Sequence, residues 1–301
     1  MTWLIITVIA YLLNALAVTI DKFLLSKKIS NPAVYAFFIA TLSLLALVFL
    51  PFGFKFYSII QILIAITAGI IFTFSLLFMF KALGQNEASR ITPFIGGLQP
   101  IFVFVLALIF LQEILSAQVL MGFLVIISGT VIISWQANFK KVQRNAYFFA
   151  LISTALFAIS YTMNKYVFIE QGFVSGFIWT RIGAFLGALL LLLGAKNRID
   201  IKQEIKSAGW RTKKTSQQLF LLGQTAGALS FILINYAIAI SHSVALVNAL
   251  QGLQYVFLLI IIFSLYWKFP QLLEEKMTPP ILAKKIIATA LIIGGLFILF
   301  I

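Results

Sequence analysis

Thr7, Asn14 and Asp21 stand seven residues apart in an otherwise apolar stretch. Seven residues is close to two helical turns, so the three share one stripe of a helix. An amide and a carboxylate on such a stripe can bind a polar solute or pass a proton. The same side chains can also simply bond a neighbouring helix. Beside Asp21, Lys22 either pairs with it or snorkels towards an interface, and snorkelling is the favoured reading. Arg181 sits deeper, about eight residues or about 12 Å into its apolar stretch. Its planar fork suits a carboxylate or phosphate; the alternatives are a pair with Glu170 or a reach to lipid phosphate.

Further polar groups interrupt other apolar stretches. Thr92, Gly96 and Gln99 share a helical face, and Gly96, Gly97 and Pro100 are expected to kink that helix and free carbonyls. Gln224 and Asn235 share another face, with Tyr236 adjacent, and Asn248, Gln251, Gln254 and Tyr255 follow. In lipid such groups cost free energy unless they face protein or water. The candidate substrate-binding residues are therefore Asn14, Gln99, Lys165, Arg181, Asn235, Tyr236, Asn248, Gln251 and Tyr255. Asp21, Lys22 and Asn164 are candidate coupling or gate residues. Glu113 reads as a turn cap or hinge, and the single histidine, His242, as structural.

Other chemistry is excluded. There is no cysteine and only one histidine, so thiolate sites, disulfides and multi-histidine metal sites are ruled out. No serine–histidine pairing, phosphate loop or poised carboxylate pair is present. The expectation is a protein that is not an enzyme and needs no cofactor or metal.

The elements that position these residues follow from hydropathy. The chain has 301 residues, is 62% hydrophobic and 10% charged, with a mean hydropathy of +1.09. Soluble domains are about 45–50% apolar and about 25% charged, so lipid must be the solvent for much of this chain. A span needs about 20 apolar residues. Ten are predicted: 3–25, 32–51, 58–82, 88–112, 117–135, 146–168, 173–194, 217–240, 243–267 and 282–301. The first lacks a basic start and a small-residue cleavage site, so it reads as a retained helix rather than a signal peptide. The stretch from Lys196 to Ser216 reads as a solvated basic loop, with a short surface helix on anionic lipid as the alternative.

The net charge of +14 does not point to nucleic acid, because the positive charges lie between the apolar stretches. Of the 22 lysines and arginines, 19 fall on the side of the odd-numbered loops. Lys55 and Lys165 fall on the other side, and Arg181 is inside a span. The positive-inside rule makes the basic side cytoplasmic and places both termini outside a cell membrane.

The halves also resemble each other. Asp21-Lys22 matches Asn164-Lys165, Thr67-Ala68-Gly69 matches Thr225-Ala226-Gly227, Gly97-Leu98-Gln99 matches Gly252-Leu253-Gln254, and Gly129 matches Gly295, all in the same order. Five helices per copy is odd, so the second copy enters the membrane the other way up. The predicted fold is an all-α polytopic membrane protein of ten transmembrane helices in two inverted five-helix repeats, 1–143 and 144–301. Secondary transporters often use this plan, with the substrate near the midplane.

These residues resemble the drug/metabolite transporter superfamily, EamA type, across essentially the whole chain. The match is carried by Lys81-Ala82-Leu83-Gly84, Ala88-Ser89, Pro100, the acidic turn Leu111-Gln112-Glu113, and Gly122 to Gly129. The second half departs from it, with Tyr255 in place of the proline. Members usually keep both termini cytoplasmic, opposite to the charge count here. The resemblance implies a cavity lined by the first, third, fourth, sixth, eighth and ninth helices.

The expected function is a secondary transporter or exporter of a small amino acid-like, amphiphilic or anionic metabolite by alternating access. A flippase for a lipid or lipid-linked precursor on the same scaffold is the alternative. The expected partners are a small-molecule substrate and the bilayer, with no nucleic acid. Small-residue faces around Gly122, Gly129, Gly294 and Gly295 leave monomer or homodimer open.

Overall fold

The structure is a computed structural model describing residues 2–24, 31–85, 88–134, 144–207, 214–265 and 279–300. Among these residues it is all-helical, without a strand. The elements are α1 (Thr2–Leu24), α2 (Pro32–Leu42) continued by a 3-10 segment (Ser43–Phe49), α3 (Ile59–Gln85), α4 (Ala88–Phe110), α5 (Ala117–Ser134), α6 (Arg144–Leu191), α7 (Ala195–Ser207), α8 (Lys214–Ile240), α9 (Val244–Ala249), α10 (Gly252–Leu265) and α11 (Pro279–Phe300). Six of the helical stretches are long and apolar enough to cross a membrane. Many large apolar side chains on them point outward, Ile5, Leu45, Ile60 and Phe148 among them. In water that surface would be costly; in lipid it is the expected covering, and the chain reads as membrane-embedded.

Helix α6 contains 48 residues and a non-helical Gly172 at φ 70°, ψ 167°. Straight, it would measure about 72 Å, more than twice a bilayer's hydrocarbon thickness of about 30 Å. Gly172 instead folds it into a hairpin of α6a (144–171) and α6b (173–191). The arms meet beside the turn, where a Cβ on Gly176 would lie 2.8 Å from Val167 Cγ1. Only glycine holds such a φ without strain.

The chain divides into two compact units, each assembled from distant segments. One comprises residues 1–27, 113–137 and 211–301, with α1, α5 and α8 to α11. Here α1 packs on α8 and α10, and α5 packs on α11. Ser230 on α8 donates to the Ala10 carbonyl at 2.7 Å. The α5–α11 seam is glycine-lined: a Cβ on Gly122 would meet the Gly295 carbonyl at 3.0 Å, and one on Gly129 the Ala288 carbonyl at 2.7 Å. Gly122, Gly129 and Gly295 thus pack within the chain, whereas Gly294 meets nothing within 4 Å.

The other unit comprises residues 28–112 and 138–210, with α2, α3, α4, α6 and α7. Its main seam runs between α3 and α6. A Cβ on Gly69 would collide with the Thr180 carbonyl of α6b, and one on Gly183 with the Ile66 carbonyl of α3. Backbones this close exclude larger side chains and gain dispersion along the seam. On the α6a side, Ser160 donates to the Ala68 carbonyl at 3.0 Å and Ser153 to the Ser75 carbonyl at 2.9 Å.

Three expectations change. The basic stretch after residue 195 is helical as far as Ser207, forming α7. Ile201 anchors it by burial, and the Asn31 amide bonds the Asp200 carboxylate. The ninth stretch is two helices, broken between Ala249 and Gly252. Helix α4, by contrast, runs without interruption from Ala88 to Phe110, through Gly96, Gly97 and Pro100.

Candidate functional site

The break between α9 and α10 has a local cause. The Gln251 amide donates to Asn248 O at 3.1 Å and Gln254 N to Gln251 O at 3.0 Å, both three residues back instead of four. These tight turns displace the ordinary helical partner of Val247 O. The Tyr11 hydroxyl of α1 takes its place at 3.0 Å. One turn further along α1, Asn14 Nδ2 donates to Gln254 Oε1 at 3.0 Å. Asn14 is half-buried and Gln254 buried. Asn248 is buried, with Nδ2 donating to Val244 O at 2.9 Å, while Gln251 and Tyr255 are half-buried. The structure therefore gathers Asn14, Asn248, Gln251 and Tyr255 on segments that meet at the break.

The N-terminal end of α9 is also held. Val244 N lies 3.2 Å from both Glu113 carboxylate oxygens, and Ser243 Oγ accepts from Leu246 N at 3.3 Å. Glu113 is thus a cap, and it caps a helix more than 120 residues away in sequence (|i−j| = 131). The chain reaches it through Gln112 at φ 52°, a left-handed conformation uncommon outside glycine. All six α9 residues are buried.

Asn235 on α8 is buried, with Nδ2 donating to Phe231 O at 2.9 Å, whereas its neighbour Tyr236 is exposed. Asp21 and Lys22 stand in the last turns of α1, and their side chains lie outside the described residues.

The other unit holds two buried cations on α6. Arg181 is 2% exposed. Its guanidinium carbon lies 4.7 Å from the Phe72 ring centre and 5.5 Å from that of Phe177. A desolvated cation over an aromatic face is worth about 2 kcal/mol or more. Phe72 packs edge-on to Phe157 at 5.8 Å, and Phe157 stacks on Tyr161 at 6.1 Å, extending the aromatic wall. The alternative pairing with Glu170 is not made: Glu170 is exposed and accepts from Gln61 at 3.2 Å. Asn164 and Lys165 are buried on α6a, Gln99 is buried on α4, and Gly96, Gly97 and Pro100 are buried with it.

Sequence reasoning missed Tyr11, the aromatic wall around Arg181 and the α3–α6b seam. Two of these left a signal. Gly183 and Gly187 form a small-residue pair four apart, and Tyr11 lies three residues from Asn14 on one face. The wall left none, because its phenylalanines are three of 31 among apolar residues everywhere.

No family model matches this chain, and no curated protein does. Among 29 solved chains that match, one described only as "Crystal structure of protein" aligns with a TM-score of 0.68 at 16% identity, over 99% of this chain and 96% of that one. At that identity the likeness shows a shared fold over the whole chain.

Proposed function

We propose that this protein is a secondary transporter or exporter of the EamA-type plan, carrying a small metabolite across the cell membrane by alternating access. The carrying observation is the broken helix α9–α10, with Tyr11, Asn14, Asn248 and Gln254 around its break. Interrupted backbone at membrane depth is tolerated only where it is buried in protein or lines a cavity. Transporters use such breaks to hold a solute near the midplane.

The inverted-repeat reading gains support from packing inside each unit. In one, α1 bonds α8 through Ser230 and α10 through Gln254. In the other, α6a bonds α3 through Ser160 and meets α4 where Tyr147 packs edge-on to Phe94 at 4.9 Å. In repeat terms, the first helix of one half pairs with the third and fourth helices of the other, twice. The buried Arg181 supports an amphiphilic, amino acid-like or anionic solute. Both termini are proposed to lie outside.

Flux of labelled metabolites into proteoliposomes, with and without a pH gradient, tests the reading. Flux above empty vesicles is expected for at least one solute. None across a broad panel would overturn it.

A further inference from the structure

Helix α7 begins where a span ends. Only residues 192–194 separate it from α6b, at most about 14 Å of chain. Tight turns fill that gap: Leu192 N donates to Leu189 O at 3.0 Å and Leu193 N to Leu190 O at 3.1 Å. The middle of α7 is fastened to the start of another span, Pro32–Phe49. The Asn31 amide bonds the Asp200 carboxylate, and Asn31 Oδ1 caps α2 by accepting from Ala33 N at 2.8 Å. Ile201, beside Asp200, is 1% exposed. A helix pinned to two span ends lies along the membrane face and does not stand off into water.

The two sides of α7 differ in chemistry. At 3.6 residues per turn, Asn197, Asp200 and Ile201 share one side, and it is the covered one: Ile201 is buried and the other two are half-buried. Glu204 falls on this side too, where it is exposed. Lys196, Arg198, Ile199, Lys202 and Gln203 fall on the other side, and all five are exposed. The open side thus carries three cations and no acid. Neither α2 nor residues 182–191 of α6b contain a charged residue to neutralise it. Among these cations Ile199 is 55% exposed. Water gives that side chain nothing, whereas a bilayer interface takes it in below the head groups while basic side chains reach the phosphates.

We infer that the open side of α7 docks on anionic phospholipids of the bilayer, with Arg198 and Lys202 on their phosphates and Ile199 inserted between them. The planar Arg198 fork suits a phosphate, and Lys202, one turn on, adds a second positive charge. This inference needs only a membrane-embedded chain and holds whether or not the protein carries a solute. It gives the unit built on α3 and α6 a lipid requirement that its apolar spans do not impose. On the orientation proposed above, this face is cytoplasmic, where anionic lipid is concentrated.

The chain has no cysteine, so Gln203→Cys offers a single site for an environment-sensitive fluorophore. The labelled full chain, in a neutral detergent, is titrated with phosphatidylglycerol or with phosphatidylcholine of the same acyl chains. Phosphatidylglycerol should shift the emission to the blue, and added salt should reverse the shift. Each base near an anionic surface contributes about a fivefold change in binding, so Arg198→Gln combined with Lys202→Gln should weaken the lipid about 25-fold. The swap Arg198→Lys with Lys202→Arg keeps both charges and should bind close to the parent. The unfolding midpoint, expected to stay unchanged at these exposed positions, separates lost binding from a lost fold. Equal response to both lipids would make the contact merely apolar and overturn the inference. The same response to inorganic phosphate alone would assign a free-anion site and overturn it too. So would no response to either lipid, or unchanged affinity in the double glutamine variant.

Discussion

The Tyr11 hydroxyl donates to the Val247 carbonyl at 3.0 Å, in the position an unbroken helix would fill with its own backbone N–H. A side chain from the first helix thus stabilises an interruption in the ninth. Tyr11→Phe removes that donor and leaves a buried carbonyl short of a partner. The expected cost is about 1–3 kcal/mol, read as a lower unfolding midpoint in detergent. An unchanged midpoint, together with unchanged amide exchange at residues 247–252, would show that the break does not depend on α1.

Glu113 should hold α9 in place. Losing a helix cap costs about 0.5–2 kcal/mol, so Glu113→Ala should speed hydrogen exchange of the Val244–Ala249 amides while leaving α3 and α6 protected. Glu113→Gln keeps an acceptor oxygen but loses the charge that favours a helix start, and should fall between the two. Mass spectrometry of deuterium uptake by peptide checks both variants.

Arg181 separates structure from recognition. Arg181→Met removes both the desolvation cost of the buried charge and its stacking on Phe72 and Phe177, two opposed terms of similar size, so it should fold with thermal stability close to wild type. Loss of stability in Arg181→Met would assign the residue to the architecture alone. Arg181→Lys keeps the charge but loses the flat stacking surface between Phe72 and Phe177. If this cation serves the pathway, both variants lower flux in proteoliposomes without lowering the yield of folded protein.

The glycine seams give the sharpest contrast. Gly69→Leu and Gly183→Leu drive a side chain into facing backbone and should abolish a monodisperse peak in size-exclusion chromatography. Gly294→Ala meets open space and should be neutral or gain about 0.5–1 kcal/mol from helix propensity. A stable Gly69→Leu would contradict the close α3–α6b crossing.

Much of this protein was legible from hydropathy alone. Apolar length must match bilayer thickness, so the helices lie where the apolar runs lie, and Gly172 marks a reversal because only glycine takes its backbone angles freely. The polar residues singled out in the sequence were also informative, since a span carries Asn14 or Arg181 only where something offsets the cost. Which of them meet was not legible. Asn14 finds Gln254 240 positions away, Glu113 finds Val244, and Arg181 turns to Phe72 rather than to the nearby Glu170. The helix break fell in α9–α10 rather than at Gly96, Gly97 and Pro100, because Tyr11 and Glu113 supply hydrogen bonds to the interrupted segment. Such partners come from distant segments of the chain, and periodicity along one helix carries no record of them. The sequence by itself determined the solvent, the helices and the polar inventory. Tertiary packing decided the pairings, because each depends on which backbones approach closely enough for a side chain to replace a lost backbone bond.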